Sequence, residues 1–528
     1  MLLRIVMVVL FFGLMVGIGL FCKRHSTNVD GFVLGGRSVG PWLTAFAYGT
    51  SYFSAVIFGG YAGQFGWKFG IASTWIGLGN AFIGSLMAWV ILGRRTRIMT
   101  QHLSSATMPE FFSKRFGSGS LKLAASVIIF IFMIPYTASL YNGLSRLFEM
   151  AFHIPYIWCV AVMAVLTGIY VIAGGYMATA INDFIQGMIM LVGIVAVIAA
   201  VLSSQGGFLA ALQGLSEIED PSVALVEGQA AKGVFNSFLG PDPMGLLGVV
   251  ILTSLGTWGL PQMVGKFYAI KSEGAIAKGT IISTLFALVV AGGCYFLGGF
   301  GRLFTDALTV DGVAPAGGFD AIIPTMLQTA LKPEGFLLTV VIILVLSASM
   351  STLSSLVLTS SSTMTLDLIK GRVVKDMDEK KQLKVMRGLI VVFILISAVI
   401  AVYQYKAPSS NNLIAQMMGV SWGAMAGAFL APFLYGMYWK GASKLGCWAS
   451  MAFSTVVMLL NMFIRSSFPK ILQSPINAGA FCMLAGFVIV PLVSLLTPKP
   501  DKTLVEDAFS CYNKKVLVRQ TEALGDEK

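Results

Sequence analysis

Hydroxyl side chains are concentrated in one apolar stretch of the second half of the chain. Residues 347–363 read SASMSTLSSLVLTSSST, an unusual density of serine and threonine for a segment hydrophobic enough to lie in lipid. On a helix, Ser351 and Ser355 share one face, as do Ala348 and Thr352, because residues four positions apart are neighbours. Hydroxyl and carbonyl oxygens suit a hard cation such as sodium. The alternative is that each hydroxyl bonds to the carbonyl four residues earlier, but the clustering favours a cation site.

Two further stretches predict unwound backbone beside such a site. The apolar segment at 41–66 contains GTS at 49–51, and the segment at 244–268 contains GTWGLP at 256–261. Glycine and proline interrupt helices, and interrupted helices at matching positions of two halves are typical of transporter binding sites. The alternative is that these glycines only permit close helix packing.

One carboxylate, Asp183, opens an apolar segment at 180–202. An ionised aspartate at the bilayer centre costs about 2.5–3.5 kcal/mol on insertion scales, so such a residue normally has a functional partner. Asp183 lies close to the predicted cytoplasmic end of its helix, and an interfacial acid beside a helix amino terminus is the alternative. Asp183 also offers a route for proton coupling, in which case the hydroxyl cluster would only pack.

These residues require a membrane framework. Of the 528 residues, 56% are apolar and 11% are charged, whereas soluble domains carry about 25% charged residues. A helix needs roughly 20 apolar residues to cross about 30 Å of hydrocarbon. That rule predicts thirteen spans, at about 3–22, 41–66, 71–92, 121–148, 156–175, 180–202, 244–268, 276–302, 336–366, 385–405, 412–438, 443–464 and 476–497.

The distribution of positive charge predicts the orientation of these spans. With the amino terminus outside and the carboxyl terminus in the cytoplasm, 27 of the 36 lysines and arginines fall in cytoplasmic segments, as the positive-inside rule requires. The net charge of +12 therefore has a topological origin and indicates no nucleic acid partner. The sequence predicts a multi-pass protein of the cell membrane, in contact with lipid and without an obligatory protein partner.

Spans two to six and spans seven to eleven form two blocks of five. Because five is odd, the blocks must be inverted relative to each other, an architecture that many secondary transporters share. The predicted division is a first span and cytoplasmic loop at 1–40, inverted repeat one at 41–202, an extracytoplasmic loop at 203–243, inverted repeat two at 244–438, two additional helices at 439–498 and a cytoplasmic tail at 499–528.

The sequence contains no pattern typical of an enzyme or a metalloprotein. The six cysteines and three histidines are dispersed, without the paired spacing of a zinc site. No nucleophile and base can be matched, and the tail after residue 498 is too short for a catalytic or output domain. These features argue against an enzyme and against a membrane sensor or scaffold that does not transport.

Several motifs resemble the sodium:solute symporter family, and the resemblance covers almost the whole chain. The matching stretches are GGRSVGP at 35–41, TMPEFF at 107–112 with RFG at 115–117, GG at 174–175 followed by DFIQ at 183–186, and the hydroxyl run. The resemblance implies an all-α protein with a LeuT-type core of ten helices in a 5+5 inverted repeat, one span before it and two after.

The resemblance also implies a sodium site. The family's conserved site uses carbonyl and hydroxyl oxygens that match, in this sequence, Thr50, Phe53, Ala348, Ser351 and Thr352. Sodium would then be the coupling ion and the only cofactor.

Some members of the family have a second sodium site. Its positions match Asp183, Ser351, Ser354 and Ser355 in this chain. Two sodium ions per cycle are therefore as compatible with the sequence as one.

The substrate is less closely indicated. Several members carry a polar Asp or Asn where this chain has Tyr52, and the glutamine of the sugar carriers falls on Ile57, which disfavours a sugar. Substrate contacts are expected from the two breaks, with Ser54, Thr257 and Trp258 as candidates; Trp258 is alternatively a core or interface aromatic. The branch motifs WG, AFLAP and YWK, at 422–423, 428–432 and 438–440, look closest to the proline, pantothenate and carboxylate carriers.

The sequence as a whole predicts a sodium-coupled symporter that imports a small organic solute by alternating access. An amino acid such as proline, a carboxylate or a vitamin would fit as the substrate. A proton-coupled symporter and a non-transporting membrane sensor remain the alternatives.

Overall fold

The apolar runs of this computed structural model are helical because, in lipid, each spanning segment must satisfy its own backbone hydrogen bonds. The structure describes residues 2–152, 154–226, 229–304, 309–310, 314–315, 318–331, 336–370, 373–374, 376–406 and 414–513. The helices are α1 (Leu2–Phe21), α2 (Val29–Leu34), α3 (Pro41–Tyr52), α4 (Ala62–Phe69), α5 (Thr74–Gly79), α6 (Arg94–His102), α7 (Met108–Phe116), α8 (Gly119–Phe152), α9 (Tyr156–Ser204), α10 (Phe208–Glu217), α11 (Pro243–Gly259), α12 (Pro261–Ala269), α13 (Glu273–Gly298), α14 (Ile322–Ala330), α15 (Phe336–Thr363), α16 (Glu379–Lys406), α17 (Ile414–Tyr438), α18 (Lys444–Phe463), α19 (Pro475–Leu496) and α20 (Lys502–Ser510).

The strands among the described residues form two short antiparallel pairs in the loops. β1 (Asp220–Val226) pairs with β2 (Gln229–Ala231), and β3 (Thr309–Val310) pairs with β4 (Ala314–Pro315). Turns of π-helix at Val56–Tyr61, Asn80–Met87 and Trp89–Gly93 continue the helices around α4 and α5, and another at Met364–Ile369 extends α15.

The described residues contain ten helical segments long and apolar enough to cross a membrane, and an eleventh if the bent pair α11 and α12 counts as one span. Two of the ten, Val56–His102 and Tyr156–Ser204, have 47 and 49 residues, more than twice the roughly 20 that one crossing needs. Each is divided by a glycine in the left-handed region, Gly70 with φ of 60° and Gly175 with φ of 55°. Division at these glycines gives the thirteen spans that the sequence predicts.

Glycine is required at the second of these divisions. Side chains rarely adopt the positive φ of Gly175, and a Cβ added there would lie 2.8 Å from a ring atom of Phe32. The break between the fifth and sixth spans therefore combines a local backbone conformation with a close approach of α2.

Two helices are broken where the sequence predicts it. α3 ends at Tyr52, Phe53 is extended with φ of −81° and ψ of 118°, and the helix resumes near Val56. α11 and α12 meet at Leu260, which is also extended, and their axes differ by 44°. The two breaks belong to the first helix of each predicted five-helix block; the inverted relation of the blocks and the domain limits stay predictions.

The third span is longer than the sequence predicts. Its helical segment continues past residue 92 to His102 and includes three arginines. The helix can continue past the apolar run because its arginines find partners in the protein. Arg97 is buried and donates from Nε to the carbonyl of Ile270, 2.5 Å away.

The broken helix α3 and the hydroxyl-rich helix α15 lie beside each other in the core. α15 packs against α3, α8 and α9, and α3 also packs against α9, α12 and α13. Beyond this core, α17, α18 and α19 form a second contact group. The predicted tail at 499–528 begins with α20; its residues after Asn513 lie outside the described part of the chain.

Candidate cation site and central polar cluster

The first group of predicted ligands meets at the break in α3. Thr50 lies in the last turn of α3, and Phe53 follows its end. Carbonyl oxygens at the end of a helix lack the N–H donors that a continuous helix would supply. Ala348, Ser351 and Thr352 lie on the face of α15 that is turned toward this break, which their i, i+3 and i+4 spacing makes possible. The structure thus brings all five residues together from two distant parts of the chain.

Five short oxygen contacts define this arrangement, which we call the oxygen cage. Ser351 Oγ lies 3.2 Å from the carbonyl oxygens of both Thr50 and Ala348. Thr352 Oγ1 lies 3.1 Å from Thr50 O and 3.2 Å from Phe53 O and Ala348 O. The side chains of Ser351 and Thr352 are fully buried, so bulk water cannot serve these oxygens.

The oxygen cage fits a small cation. Each hydroxyl has only one proton to donate, so two protons serve the five contacts and lone pairs are in excess. Oxygen ligands about 2.4 Å from a cation, as around the similarly sized calcium ion, stand about 3.4 Å apart when they subtend a right angle. The observed separations of 3.1–3.2 Å require an expansion of only a few tenths of an ångström.

The second group of predicted ligands is arranged differently. Ser354 Oγ donates to the carbonyl of Ser351, 2.9 Å away, and Ser355 Oγ lies 2.8 Å from the hydroxyl of Ser51. Asp183 is fully buried, and neither of its carboxylate oxygens has a hydrogen-bond partner among the described residues. Asp183 and Ser355 both lie beside Lys266, and their role in a second sodium site stays a prediction.

Sequence reasoning missed Lys266, which lies among these side chains. Its Nζ is 3.6 Å from Asp183 Oδ2 and 3.1 Å from Ser355 Oγ, and the side chain is almost fully buried. A lysine inside the apolar stretch at 244–268 was the available signal, because a basic residue in a span normally has a partner. Which carboxylate would be that partner could not be read from the sequence.

The predicted substrate contacts divide into two groups. Ser54 is buried at the first break, and its hydroxyl has no partner within the described part of the chain. Thr257 donates to Gly84 O at 3.0 Å, and Trp258 Nε1 donates to Ile83 O at 2.9 Å. The polar atoms of Thr257 and Trp258 thus tie α11 to the third span, which favours the packing alternative for Trp258 over substrate contact.

Around Ser54 the structure places a set of aromatic residues that the sequence did not single out. Each of them has a buried polar atom without a hydrogen-bond partner among the described residues. With Ser54 they form what we call the central polar cluster: Tyr52, Ser54, Tyr61, Tyr136, Tyr295 and Trp422.

Contacts within the central polar cluster show that it is continuous. The ring of Trp422 lies 5.7 Å from that of Tyr52 and 6.0 Å from that of Tyr136. Tyr295 is a neighbour of Tyr52 and Tyr61. Buried hydroxyls are normally hydrogen-bonded. Because the central polar cluster includes Tyr52 and Ser54 on either side of the first break, it is a candidate substrate-binding surface.

A third group of polar contacts lies where α3 begins. Val39 N donates to Ala269 O, 3.3 Å away, and Lys271 N donates to Val39 O, 3.0 Å away, so the entry to α3 is joined to the end of α12. Nearby, Asp367 is fully buried and lies 3.1 Å from Lys122 Nζ. Asp367 is a second membrane carboxylate, which sequence reasoning did not count.

Comparison with known proteins identifies similar chains of nearly the same length. A sequence model of the sodium:solute symporter family matches residues 32–453. The chain is 29% identical over 515 residues to sodium/proline symporter 2 of Staphylococcus saprophyticus, covering 95% of this chain and 94% of that one. It is 27% identical over 514 residues to the sodium/proline symporter of Staphylococcus aureus, with the same coverage.

A solved structure shows the fold. The outward-open, substrate-bound state of a Na+-coupled sialic acid symporter superposes with a TM-score of 0.70 at 15% identity, covering 94% of this chain and 99% of that one. The LeuT-type all-α fold predicted from the sequence motifs is thereby confirmed.

Proposed function

This chain belongs to the sodium:solute symporter family, and on that premise we propose that the oxygen cage holds the sodium ion that drives transport of proline or a closely similar zwitterion. The chain is a sodium-coupled solute symporter, a multi-pass protein of the plasma membrane. The ion site rests on one observation above all: carbonyls from a broken helix and hydroxyls from α15 converge within 3.2 Å of each other.

The chemistry of the central polar cluster supports a substrate without large net charge. The cluster offers hydroxyl and indole donors and aromatic faces, and none of its members is charged. A carboxylate can be held by the amino-terminal ends of the helical halves that follow the two breaks, at Val56 and Pro261, because helix amino termini carry partial positive charge. The bound sodium adds to this attraction.

The positive end of a zwitterion also finds a match. α3 and α11 end at the same breaks, so their carboxyl-terminal carbonyls carry partial negative charge. A secondary ammonium can lie on the face of Tyr136 or Trp422, because cations are attracted to aromatic rings. An anionic carboxylate or vitamin would use only half of this arrangement, which is why proline is the better candidate.

Sodium binding and helix movement are linked by the position of the oxygen cage. Thr50 and Phe53 belong to α3, whereas Ala348, Ser351 and Thr352 belong to α15. A sodium ion therefore stabilises the arrangement in which the two helices are in contact, and it shifts the conformational equilibrium only by its different affinity for the two states. Loss of the ion would allow α3 and α15 to separate, and the binding site would then open to the opposite side of the membrane.

The membrane potential adds to this drive. One elementary charge moved across 100 mV is equivalent to about 2.3 kcal/mol, which is a roughly 50-fold concentration ratio. A zwitterion carries no net charge, so a single sodium ion makes each transport cycle electrogenic. We further infer an amino terminus outside and a carboxyl terminus in the cytoplasm, in accord with the charge distribution of the loops. From the transporter family we infer that the chain has no catalytic role.

Uptake of labelled proline into proteoliposomes tests the proposal. An inward sodium gradient should drive accumulation, and replacement of sodium by choline should abolish it. Ser351→Ala and Thr352→Ala should each raise the sodium concentration for half-maximal uptake by roughly 10- to 150-fold, since a bond to a charged group contributes about 1.5–3 kcal/mol.

Ser349→Ala provides the matched control on the same helix. Its hydroxyl donates to Val345 O within α15, 2.9 Å away, so its sodium dependence should equal that of the wild type. Unchanged sodium dependence in both Ser351→Ala and Thr352→Ala would remove the oxygen cage as the ion site. Uptake driven by a proton gradient in the absence of sodium would instead support the proton-coupled alternative.

A further inference from the structure

The ammonium group of Lys266 lies where the sequence predicts a second ion. It is on α12, six residues beyond Leu260 at the second break, and its side chain is 4% exposed. Its Nζ contacts Asp183 of α9 at 3.6 Å and Ser355 of α15 at 3.1 Å, and the ring of Tyr176 is 5.2 Å away. Three separate elements thus contribute to one buried cation environment.

Asp183 requires a cation in this environment. A buried carboxylate without a counter-charge is strongly unfavourable, and Asp183 has no hydrogen-bond partner among the described residues that could stabilise it instead. A bound metal ion, a basic side chain or a proton on the carboxylate can each meet that requirement. In this chain Lys266 does so.

Two serines of the predicted second site already have partners, although a hydroxyl that donates a hydrogen bond keeps its lone pairs. Ser354 Oγ donates to the carbonyl of Ser351, and Ser355 Oγ is shared between Lys266 Nζ and Ser51 Oγ. A sodium ion bound to Asp183 would also lie close to the ammonium. Repulsion between two unit charges about 4 Å apart, at an effective dielectric constant near 20, weakens binding by roughly a thousandfold.

We propose that the Lys266 ammonium takes the place of a second sodium ion, so that this symporter carries one sodium ion per substrate. The proposal rests on the sodium-coupled function above. A tethered ammonium can neutralise Asp183 and, through Ser355 and Ser51, connect α12 and α15 with α3, but it cannot leave with the substrate. It therefore supplies the structural effect of a second ion without adding its driving force.

Equilibrium binding of ²²Na+ to the purified protein tests this without reference to the substrate. The wild type should bind one ion per chain at saturation. Lys266→Met should bind two, because Asp183 and the neighbouring serines then become available to sodium. Asp183→Asn combined with Lys266→Met should return to one, and Lys271→Met, a lysine just past α12 whose side chain is exposed, should stay at one.

A transport measurement gives an independent count in the wild type. With the membrane voltage clamped to zero by potassium and valinomycin, a tenfold sodium gradient limits proline accumulation to about tenfold for one ion and about a hundredfold for two. Lys266→Met should move from the first limit toward the second. Because the wild-type limit needs no variant, the proposal remains testable even where Lys266→Met does not fold.

The outcomes separate this proposal from the one on which it rests. Two ions bound by the wild type, or one ion bound by a folded Lys266→Met, would refute the role of Lys266 and leave sodium coupling intact. No sodium binding by the wild type, or binding unaffected by Ser351→Ala and Thr352→Ala, would overturn the oxygen cage itself.

Discussion

Thr352 offers the sharpest single perturbation of the oxygen cage, because its hydroxyl contacts three carbonyl oxygens. They belong to Thr50, Phe53 and Ala348, at 3.1–3.2 Å. Thr352→Val keeps the branched shape of the side chain and removes only the oxygen. Thr352→Ser keeps the oxygen and removes only the methyl group, so the two variants separate coordination from packing.

The expected loss of sodium affinity follows from the removal of one ligand. Removal of one ligand of a charged group costs about 1.5–3 kcal/mol, so sodium affinity should fall by roughly 10- to 150-fold. At a sodium concentration of 100 times the dissociation constant, binding stabilises the folded state by about 2.7 kcal/mol. A variant with hundredfold weaker binding would retain only about 0.4 kcal/mol of that stabilisation at the same concentration.

Thermal unfolding in detergent, with sodium or with choline at equal ionic strength, measures this difference. The wild type and Thr352→Ser should show a sodium-dependent rise in Tm, and Thr352→Val should lose most of it. The comparison uses the difference between the two salts, because the valine variant also removes a donor from buried carbonyls and lowers the stability in choline.

Ser349→Ala is again the matched control, since its hydroxyl bonds within α15. If Thr352→Val keeps the full sodium-dependent rise, the hydroxyl is no ligand and the oxygen cage is only a packing arrangement. A loss in Thr352→Val that Ser349→Ala reproduces would point to a general weakening of α15.

Three further predictions concern other parts of the molecule. Tyr136→Phe should raise the KM for proline by roughly tenfold, because a lost hydrogen bond contributes about 1.4 kcal/mol, and uptake kinetics should show unchanged sodium dependence; an unaltered KM would remove Tyr136 from the substrate site. Lys122→Met should lower the free energy of unfolding by about 3–5 kcal/mol, because it leaves the buried Asp367 without a counter-charge, with only the Thr107 hydroxyl as a partner, and Asp367→Asn should cost less in the same thermal assay; the reverse order would contradict the pairing. Gly175→Ala should destabilise the protein by about 1–3 kcal/mol, from its positive φ combined with ψ of −144°, and further from its contact with Phe32; a variant with wild-type Tm would show that α2 adjusts freely.

Much of the framework could be predicted from local features of the sequence. Thirteen apolar runs predicted the spans, and runs of glycine, threonine and proline predicted the breaks at 49–51 and 256–261. These signals are local, because insertion into lipid depends on a contiguous apolar length and helix interruption depends on a few adjacent residues. The five residues of the oxygen cage came from motif resemblance, and the structure brings them together, although their role as sodium ligands stays a prediction.

The content of the second predicted site depended on tertiary structure. Asp183 and Lys266 are 83 positions apart in the chain, and no periodicity relates a helix of the first block to a broken helix of the second. Their contact follows from how far each helix is rotated when it packs. The rotation of α11 likewise directs the polar atoms of Thr257 and Trp258 toward the carbonyls of Gly84 and Ile83.

The sequence by itself thus determined which segments enter the membrane, where two of them unwind and which oxygens are available there. Only the tertiary structure decided which side chains face one another across the breaks, including the tyrosines of the central polar cluster and the Lys266 ammonium beside Asp183. The physical reason is that hydrophobicity and backbone strain act within one segment. The pairing of polar side chains in lipid is settled by helix packing, in which each buried group must find its partner on another helix.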